Sequence, residues 1–131
     1  MLPCFCVMRM SSIRKGSIGE MKVTIDLLLR GYNVYTPVVD DKGIDLIVSN
    51  GDLFRKVQCK SHSNYFSTSV EVNMRGCDRA DVVAVPIKPI NRVCYIESGA
   101  SDRAVNIAIA ESISGQKLKR RWWEDYLEFP W

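Results

Sequence analysis

The sequence predicts an α/β fold, with a central mixed β-sheet of about five strands flanked by helices. Three observations predict it. Apolar residues recur at helical spacing between Gly16 and Arg30, a β-hairpin is indicated between Gly43 and Lys60, and later apolar runs have the length and composition of strands. The chain has 131 residues, of which 47% are hydrophobic and 25% charged, so we expect one globular domain over residues 1–131.

The charge and the cysteines set limits on partners and location. A net charge of +3 is compatible with a polyanionic partner but does not identify one. The cysteines are odd in number and lack the spacing of metal ligands, so we expect reduced thiols and a reducing, cytoplasmic compartment. They are Cys4, Cys6, Cys59, Cys77 and Cys94.

Residues 1–12 are expected to be a ragged N-terminal extension, although they could also add a strand or contact another subunit. The apolar run at positions 1–10 is short, and neither a charged leading region nor a small-residue cleavage site accompanies it. It is therefore predicted to be neither a signal peptide nor a membrane span.

A helix is predicted from Gly16 to Arg30, followed by Gly31 where a left-handed residue would end it. Its apolar residues at helical spacing are Ile18, Met21, Ile25 and Leu28. Ser17 is predicted to cap the helix, and Glu20, three residues later, could complete a capping box. Asp26 is expected to lie in solvent.

A short edge strand is predicted at Tyr32–Thr36, and a hairpin then joins Ile44–Val48 to Leu53–Cys59. Between the hairpin strands lies the pair Asn50-Gly51, which favours a two-residue type I′ turn.

With Asn50 and Gly51 as the loop, Asp45 would lie opposite Lys56. Asp45, Lys56, Gln58 and Lys60 would then project from one face, with Asp45 diagonal to Gln58 at roughly 7–8 Å. A register slip of one residue would separate them.

Such a cluster suits metal-assisted hydrolysis of a phosphodiester. Mg²⁺ prefers hard oxygen ligands and keeps several waters, so a carboxylate, an amide oxygen, a backbone carbonyl and a substrate phosphate can complete its coordination. The ion polarises the phosphoryl oxygen and acidifies a bound water. A lysine beside that water, here Lys60, would stabilise the developing negative charge.

The Gly-Ile-Asp strand, the short turn and Gln58-Cys59-Lys60 resemble the PD-(D/E)XK nuclease superfamily, with glutamine where an acidic residue is commoner. The pattern is similar to small homing endonucleases with a PD-(D/Q)XK site and to archaeal Holliday-junction resolvases. The resemblance covers Gly16–Lys60. It implies a restriction-endonuclease-like αβββαβ core.

The resemblance also implies the roles of the site residues. Mg²⁺, for which Mn²⁺ can substitute, would be held by Asp45, Gln58 and the Cys59 backbone carbonyl. Glu20 on the first helix would bind the metal or its water, a role that competes with helix capping. Lys60 would orient and acidify the nucleophilic water.

Beyond the hairpin, Ser61 could contact phosphate and His62 is expected to be a surface residue. Thr68–Asn73 alternates as a strand does, where the resembled core has a helix. Strands are predicted at Ala80–Ile87 and Arg92–Glu97.

A second helix is predicted from Asp102 to about Ser112, capped by Ser101 and ending near Gly115. Its predicted face combines Val105, Ala108, Ile109 and Ser112.

The C-terminal region combines cations with aromatic residues, and two interpretations remain open. Lys117, Lys119, Arg120 and Arg121 could contact a phosphate backbone. Alternatively, the region packs on the core or on another subunit through aromatic residues, and its cations stay solvated. Those aromatic residues are Trp122, Tyr126, Phe129 and Trp131.

The sequence thus predicts a Mg²⁺-dependent endodeoxyribonuclease that cuts duplex DNA, as homing or restriction enzymes do. A Holliday-junction resolvase is the alternative within nucleases. A catalytically silent nucleic-acid-binding or assembly module is the alternative of another class, because Gln58 replaces a carboxylate. One site per chain and two strands per duplex predict a homodimer or higher even oligomer, without a membrane partner.

Overall fold

The computed structural model describes residues 11–40, 42–62, 68–99, 103–112 and 120–131. It contains a five-stranded sheet in the order β1-β2-β3-β5-β6 and a three-stranded sheet in the order β4-β7-β8. The elements are α1 (Ser12–Leu29), β1 (Asn33–Tyr35), β2 (Leu46–Asn50), β3 (Leu53–Cys59), β4 (Ser69–Asn73), β5 (Val82–Ile87), β6 (Arg92–Glu97), β7 (Ala104–Ala108) and β8 (Arg121–Trp122).

The larger sheet is mixed, as the sequence predicts. β3 and β5 are parallel, whereas β1–β2, β2–β3 and β5–β6 are antiparallel. β1 is an edge strand, which confirms the prediction for this segment. The two strands predicted after residue 80 are also present, as β5 and β6.

Helix α1 covers one face of the larger sheet, but not through the apolar stripe that predicted it. Its buried residues are Val23 and Leu27, which join the core cluster formed with β2, β3, β5 and β6. The stripe of Ile18, Met21, Ile25 and Leu28 lies on the exposed side. α1 is therefore apolar on two sides, and it is not long and apolar enough to cross a membrane.

The N-terminus of α1 differs from the prediction. The helix begins at Ser12, and the side chain of Ser11 accepts a hydrogen bond from the Arg14 N–H at 3.2 Å, as an N-cap does. Ser17 lies inside the helix, so it does not cap, and Glu20 has no capping box to complete. Residues 11 and 12 thus belong to the helix start, while residues 1–10 lie outside the described residues. Gly31 follows the helix with φ +85°, as predicted.

The other face of the larger sheet is covered by the smaller sheet, not by a second helix. β4 pairs antiparallel with β7, and Val70, Val72, Val105 and Ile107 are buried against β5 and β6. The predicted strand over Thr68–Asn73 is confirmed. The helix predicted from Asp102 to Ser112 is wrong, because residues 104–108 form β7. Ser101 and Gly115 lie outside the described residues.

The hairpin register is shifted by two residues from the predicted one. Asn50 pairs with Leu53, so the loop consists of Gly51 and Asp52, and only Gly51 has a positive φ, of 61°. Glycine at the first loop position is typical of a type II′ turn. Lys56 therefore pairs with Ile47, not with Asp45. A shift of two leaves every β3 side chain on its predicted face.

The C-terminal segment packs against both hydrophobic clusters, one on each face of the larger sheet. Phe129 and Trp131 pack on the helix-side cluster, where Tyr32 meets the Trp131 ring edge-on at 4.9 Å. Trp123 and Tyr126 pack on the cluster between the two sheets. The packing interpretation is thus confirmed for Tyr126, Phe129 and Trp131, whereas Trp122 stacks with Arg120 and joins neither cluster.

Candidate active site

Asp45 lies at the base of the hairpin, where the β2–β3 pairing becomes irregular. Its N–H donates to the Val57 carbonyl at 2.9 Å, although Leu46 already pairs with Val57. Asp45 and Leu46 therefore both lie opposite Val57, as in a β-bulge. Bulges of this kind redirect side chains near active sites. Asp45 Oδ2 accepts a hydrogen bond of 2.7 Å from the Cys59 N–H. The carboxylate is thereby fixed over the end of β3.

Gln58 and Cys59 occupy opposite faces of β3 at this point. The Cys59 side chain packs with Val57 in the helix-side core. Gln58 is paired along the backbone with Val83, whose side chain belongs to the cluster on the other face of the sheet. Among the residues that the structure describes, no partner lies within hydrogen-bonding distance of the buried Oε1 of Gln58. A buried, unpaired amide oxygen costs roughly 1–3 kcal/mol, so a bound donor or cation would stabilise it.

Glu20, on α1, lies close to Asp45 on the helix side of the larger sheet. Burial raises the pKa of its carboxyl, and the negative charges of Asp45 and Asp40 raise it further. The Cys59 pKa is also raised, by burial first and then by Asp45 and Glu20. Glu20, Asp45 and Cys59 are therefore close enough to interact electrostatically. Because Ser11 caps the helix, the Glu20 carboxylate remains available to this cluster.

Lys60 follows β3 immediately and is held in place by two contacts. Its N–H donates to the Ala84 carbonyl at 2.9 Å, and Nζ lies 3.5 Å from the carbonyl oxygen of Arg75. Lys60 is also close to Cys77, whose pKa is raised by burial and lowered in part by the ammonium group. The lysine thus sits beneath the connection between β4 and β5, on the side away from α1.

That connection was not identified as functional from the sequence. Arg79 donates to the Lys42 carbonyl at 2.7 Å, which closes the loop preceding Asp45. Gly43 has φ +89°, and a Cβ there would lie 3.5 Å from the Arg79 side chain. The local sequence signal in this stretch is the turn-forming Gly76, so the covering of the site depends on tertiary contacts. Asp81 acts structurally, because its Oδ2 accepts from the Lys56 N–H at 2.9 Å.

The remaining candidates lie around this centre. Ser61 is exposed beside Lys60. His62 is half-buried and not simply on the surface, since its Nε2 accepts from the Lys88 N–H at 3.3 Å. Asp40, whose charge contributes to the raised pKa of Glu20, is exposed.

Two of the C-terminal cations are described. Arg120 donates to the carbonyls of Thr68 and Ala110, and its guanidinium stacks 4.9 Å from the centre of the Trp122 ring. Arg121 is exposed at the start of β8. Lys117 and Lys119 lie outside the described residues.

Asp26 also differs from its prediction. Its carboxylate accepts from the Tyr95 hydroxyl at 2.5 Å and from Arg30 Nε at 3.0 Å, so it links α1 to β6. It is a structural residue away from the site, not a solvated one.

The comparison with protein families identifies the chain. The model of the PD-(D/E)XK endonuclease family matches residues 10–96, which is more than half of the 131 residues. The chain belongs to the PD-(D/E)XK endonuclease family. The matched range contains all four residues proposed to form its active site, namely Glu20, Asp45, Gln58 and Lys60.

A solved structure shows that the endonuclease has the restriction-endonuclease-like fold. The structure of this chain is similar to that of the bacterial homing endonuclease I-Ssp6803I, with a TM-score of 0.69 and 17% sequence identity. The match covers 88% of this chain and 86% of the other. The comparison with curated proteins gives no match. At this identity the likeness concerns the fold.

PD-(D/E)XK nucleases typically use divalent metals, and the residues here fit such an ion. The candidate donors are two carboxylates, one buried amide oxygen without a described partner and the Cys59 backbone carbonyl, all of them hard oxygen ligands of the kind that Mg²⁺ prefers. The described ranges contain no group of three or more His, Cys, Asp or Glu side chains arranged to hold a metal. The candidate set does not need one, because half of its donors are an amide and a backbone carbonyl.

Proposed function

We propose that this endonuclease is a divalent-metal-dependent enzyme that hydrolyses phosphodiester bonds in duplex DNA, as homing and restriction endonucleases do. The observation that carries the proposal is the buried Oε1 of Gln58, which has no partner among the described residues, in the residue just before the Cys59 N–H that fixes the Asp45 carboxylate. Family membership makes nuclease activity the expectation, and this donor arrangement favours an active metal site over a vestigial one.

Each residue has a distinct role in the proposed site. Asp45, Gln58 and the Cys59 carbonyl would hold Mg²⁺, and Glu20 would bind the ion or one of its waters. The bound ion would polarise the phosphoryl oxygen and supply an acidified water. Lys60 would hold that water in line with phosphorus and offset the negative charge that develops on the phosphate.

The substitution Asp45→Asn tests the proposal. Asparagine retains an oxygen that can accept from the Cys59 N–H, so the fold is expected to persist while the chief charged ligand is lost. Cleavage should fall by roughly a thousandfold or more, a loss of about 4 kcal/mol of transition-state stabilisation. DNA binding should persist or tighten, because one charge that repels phosphate is gone.

The measurement is cleavage of a panel of substrates by the parent and the variant, in Mg²⁺ and in Mn²⁺. The panel contains duplex, four-way-junction, flap and single-stranded DNA. Duplex cleavage that requires Asp45 supports the proposal, and cleavage of junctions alone would replace it by a junction-resolving activity. DNA binding without cleavage of any substrate by the parent would instead identify a silent binding module, in which Gln58 marks the loss of a catalytic carboxylate.

We also propose that the enzyme acts as a homodimer or a higher even oligomer. The site described above can cut one strand, whereas a duplex has two. The exposed apolar stripe on α1 offers a surface for a second copy, because soluble proteins rarely leave such a stripe uncovered.

A further inference from the structure

The outer face of the smaller sheet has an unusual composition. On its inner face, β4 and β7 bury Val70, Val72, Val105 and Ile107. Because side chains alternate, the intervening residues form an outer face, which we call the ribbon face. The ribbon face consists of Ser69, Glu71, Asn73, Ala104, Asn106, the buried Ala108 and, on β8, Trp122.

Strand propensity does not account for this face. Glu71, Asn73, Ala104 and Asn106 are exposed, and asparagine, alanine and glutamate are all depleted in strands. An exposed strand position that only had to be soluble would accept threonine or another β-branched residue. When residues that are disfavoured in strands occupy strand positions and do not improve the packing, those positions are often functional. Glu71, Asn73 and Asn106 share hydrogen-bonding side chains, whereas Ala104 contributes only a methyl group.

Cations stand at both ends of the ribbon face. At one end, Arg75 and Arg103 are exposed, and they line a cavity of about 340 Å³ together with Met74, Gly76, Cys77, Asp78, Ser98 and Gly99. The Met74 N–H donates to the Arg103 carbonyl at 2.9 Å, which brings the two arginine segments together. At the other end, Arg120 is fixed by the Thr68 carbonyl at 2.9 Å and stacks on Trp122.

The dimensions of the ribbon face match a DNA groove. Ser69 and Asn73 are about 13 Å apart along the strand, and two paired strands are roughly 5 Å apart. The major groove is about 12 Å wide and admits a two-stranded β-ribbon, with phosphates along both sides. The centre of the ribbon face carries the amides of Asn73 and Asn106 and the carboxylate of Glu71, and the cations stand at its ends. Polar groups of this kind can contact base edges, while the flanking cations contact phosphates.

The ribbon face is also joined to the proposed active site. Asn73 Oδ1 accepts from the Arg75 N–H at 3.0 Å, and the Arg75 carbonyl lies 3.5 Å from Lys60 Nζ. A duplex on the ribbon face would therefore pass beside Lys60.

We propose that the ribbon face enters the major groove of duplex DNA and reads base edges through Asn73 and Asn106, while Arg103 and Arg120 contact the flanking phosphates. Asparagine can donate to N7 and accept from the amino group of adenine in a bidentate pair only when its amide is correctly oriented, so adenine is the base expected opposite it. This inference rests on the proposed function, because it assumes a DNA substrate. The inference adds to that function the surface that recognises the base sequence of the DNA.

The test is selection of binding sites from a library of duplexes with a randomised central segment, performed in EDTA so that nothing is cut. Asn106→Ala should reduce discrimination at one or two base pairs by roughly five- to a hundredfold, with little change in affinity for random DNA. Asn73→Asp is the second variant: it keeps an acceptor for the Arg75 N–H but loses the amide donor. Asn33→Ala, an exposed asparagine on β1 in the other sheet, is the matched control and should change nothing.

Arg103→Ala reports the phosphate contacts separately. It should weaken binding to all duplexes alike and reduce the slope of log affinity against log salt by about 1. Base preference should remain as in the parent.

The outcomes separate this inference from the proposed function. If both asparagine variants select the parent's motif, or if the parent cuts DNA in Mg²⁺ but selects no motif, the ribbon face does not read sequence and the nuclease assignment stands. A parent that neither binds nor cuts duplex DNA would overturn both. Loss of preference in the asparagine variants, with unchanged plasmid nicking by the Asn33→Ala control, is the expected result.

Discussion

At the scale of single residues, one oxygen distinguishes this site from that of a nuclease with a carboxylate on β3. Gln58 offers Oε1 without a negative charge, and that atom is buried without a partner among the described residues. The charge that attracts a cation comes from Asp45 and Glu20, whose mutual repulsion contributes to the raised pKa of Glu20. The site is therefore expected to bind its metal more weakly than a carboxylate variant would.

Gln58→Glu should accordingly lower the Mg²⁺ concentration for half-maximal cleavage by roughly fivefold or more. A further unit charge about 4 Å from a cation is worth about 1 kcal/mol even in bulk water, which corresponds to that factor. The maximal rate need not rise, since the new carboxylate also repels phosphate and would pair with Lys60. The measurement is a Mg²⁺ titration of cleavage, or of metal binding.

Asn50→Asp is the matched control for that titration, because it adds the same charge at the exposed far end of the hairpin. It should leave the Mg²⁺ curve unchanged. Coincident curves for the parent and Gln58→Glu would show that position 58 is not a ligand.

Glu20 should make stability depend on pH in a defined direction. Burial and the charges of Asp45 and Asp40 raise its folded-state pKa above the ordinary value of 4.5. The folded state therefore binds this proton more tightly than the unfolded state does. Its contribution to stability is complete below pH 4.5 and is lost as the pH rises through the folded-state pKa.

Glu20→Gln mimics the protonated form, so without metal it should melt at a higher temperature than the parent at pH 7. The two melting temperatures should converge below pH 4.5. Glu97→Gln, at an exposed position at the end of β6, is the control and should leave both values as in the parent. Equal melting temperatures for the parent and Glu20→Gln at pH 7 would show that Glu20 does not experience the charge of Asp45.

At the scale of elements, local patterns predicted the helix, the hairpin and the strands of the larger sheet. The four residues proposed for the site came from the resemblance to the PD-(D/E)XK superfamily, and their roles stay a prediction. The failure at residues 104–108 has a physical cause. Val105-Asn106-Ile107 alternates, but the surrounding alanines favour a helix, and only pairing with β4, about thirty residues earlier in the chain, decides for a strand. The same applies to the cap, because both Ser11 and Ser17 carry a suitable side chain.

The hairpin turn shows that a local turn sequence can predict which face each side chain occupies without predicting which residues pair across the strands. The sequence Asn50-Gly51-Asp52 allows two loops of two residues, and the choice between them moves the pairing by two. Since that shift preserves side-chain faces, Gln58 and Lys60 could be placed together even with the wrong turn. The bulge that turns Asp45 toward Cys59 could not be predicted, because it depends on the contacts of the loop before it.

Two glycine substitutions should have opposite effects on stability. Gly51→Ala places a Cβ at φ +61° in the turn, which should cost about 1–2 kcal/mol of unfolding free energy. Gly16→Ala lies inside α1, where a Cβ would meet nothing within 4 Å, and should stabilise by about 0.5–1 kcal/mol. Urea unfolding measures both. A stabilising Gly51→Ala would contradict the observed turn.

At the scale of the whole molecule, the two faces of the larger sheet are covered differently. The smaller sheet packs on one face and leaves a polar ribbon face outside, whereas α1 covers the other face and leaves an apolar stripe outside. The polar side suits nucleic acid and the apolar side suits another protein surface. Assembly through α1 would therefore leave the proposed DNA-binding side accessible.

The stripe leads to the prediction about assembly. Met21, Ile25 and Leu28 are 65%, 58% and 53% exposed, and burying them against the same stripe of a second copy would remove a large apolar area from water. The double substitution Met21→Lys with Ile25→Lys should therefore shift the protein from an even oligomer to a monomer, as measured by light scattering after size exclusion. The helical circular-dichroism signal should persist, because Val23 and Leu27 still anchor α1.

Plasmid cleavage should follow the change in mass. A monomer with one site nicks one strand, so the double variant should accumulate open circles where the parent produces linear DNA in a single binding event. Val38→Lys, at a fully exposed apolar residue outside the helix, is the matched control and should change neither the mass nor the products. A monomeric parent, or an unchanged mass for the double variant, would show that α1 does not form the subunit interface.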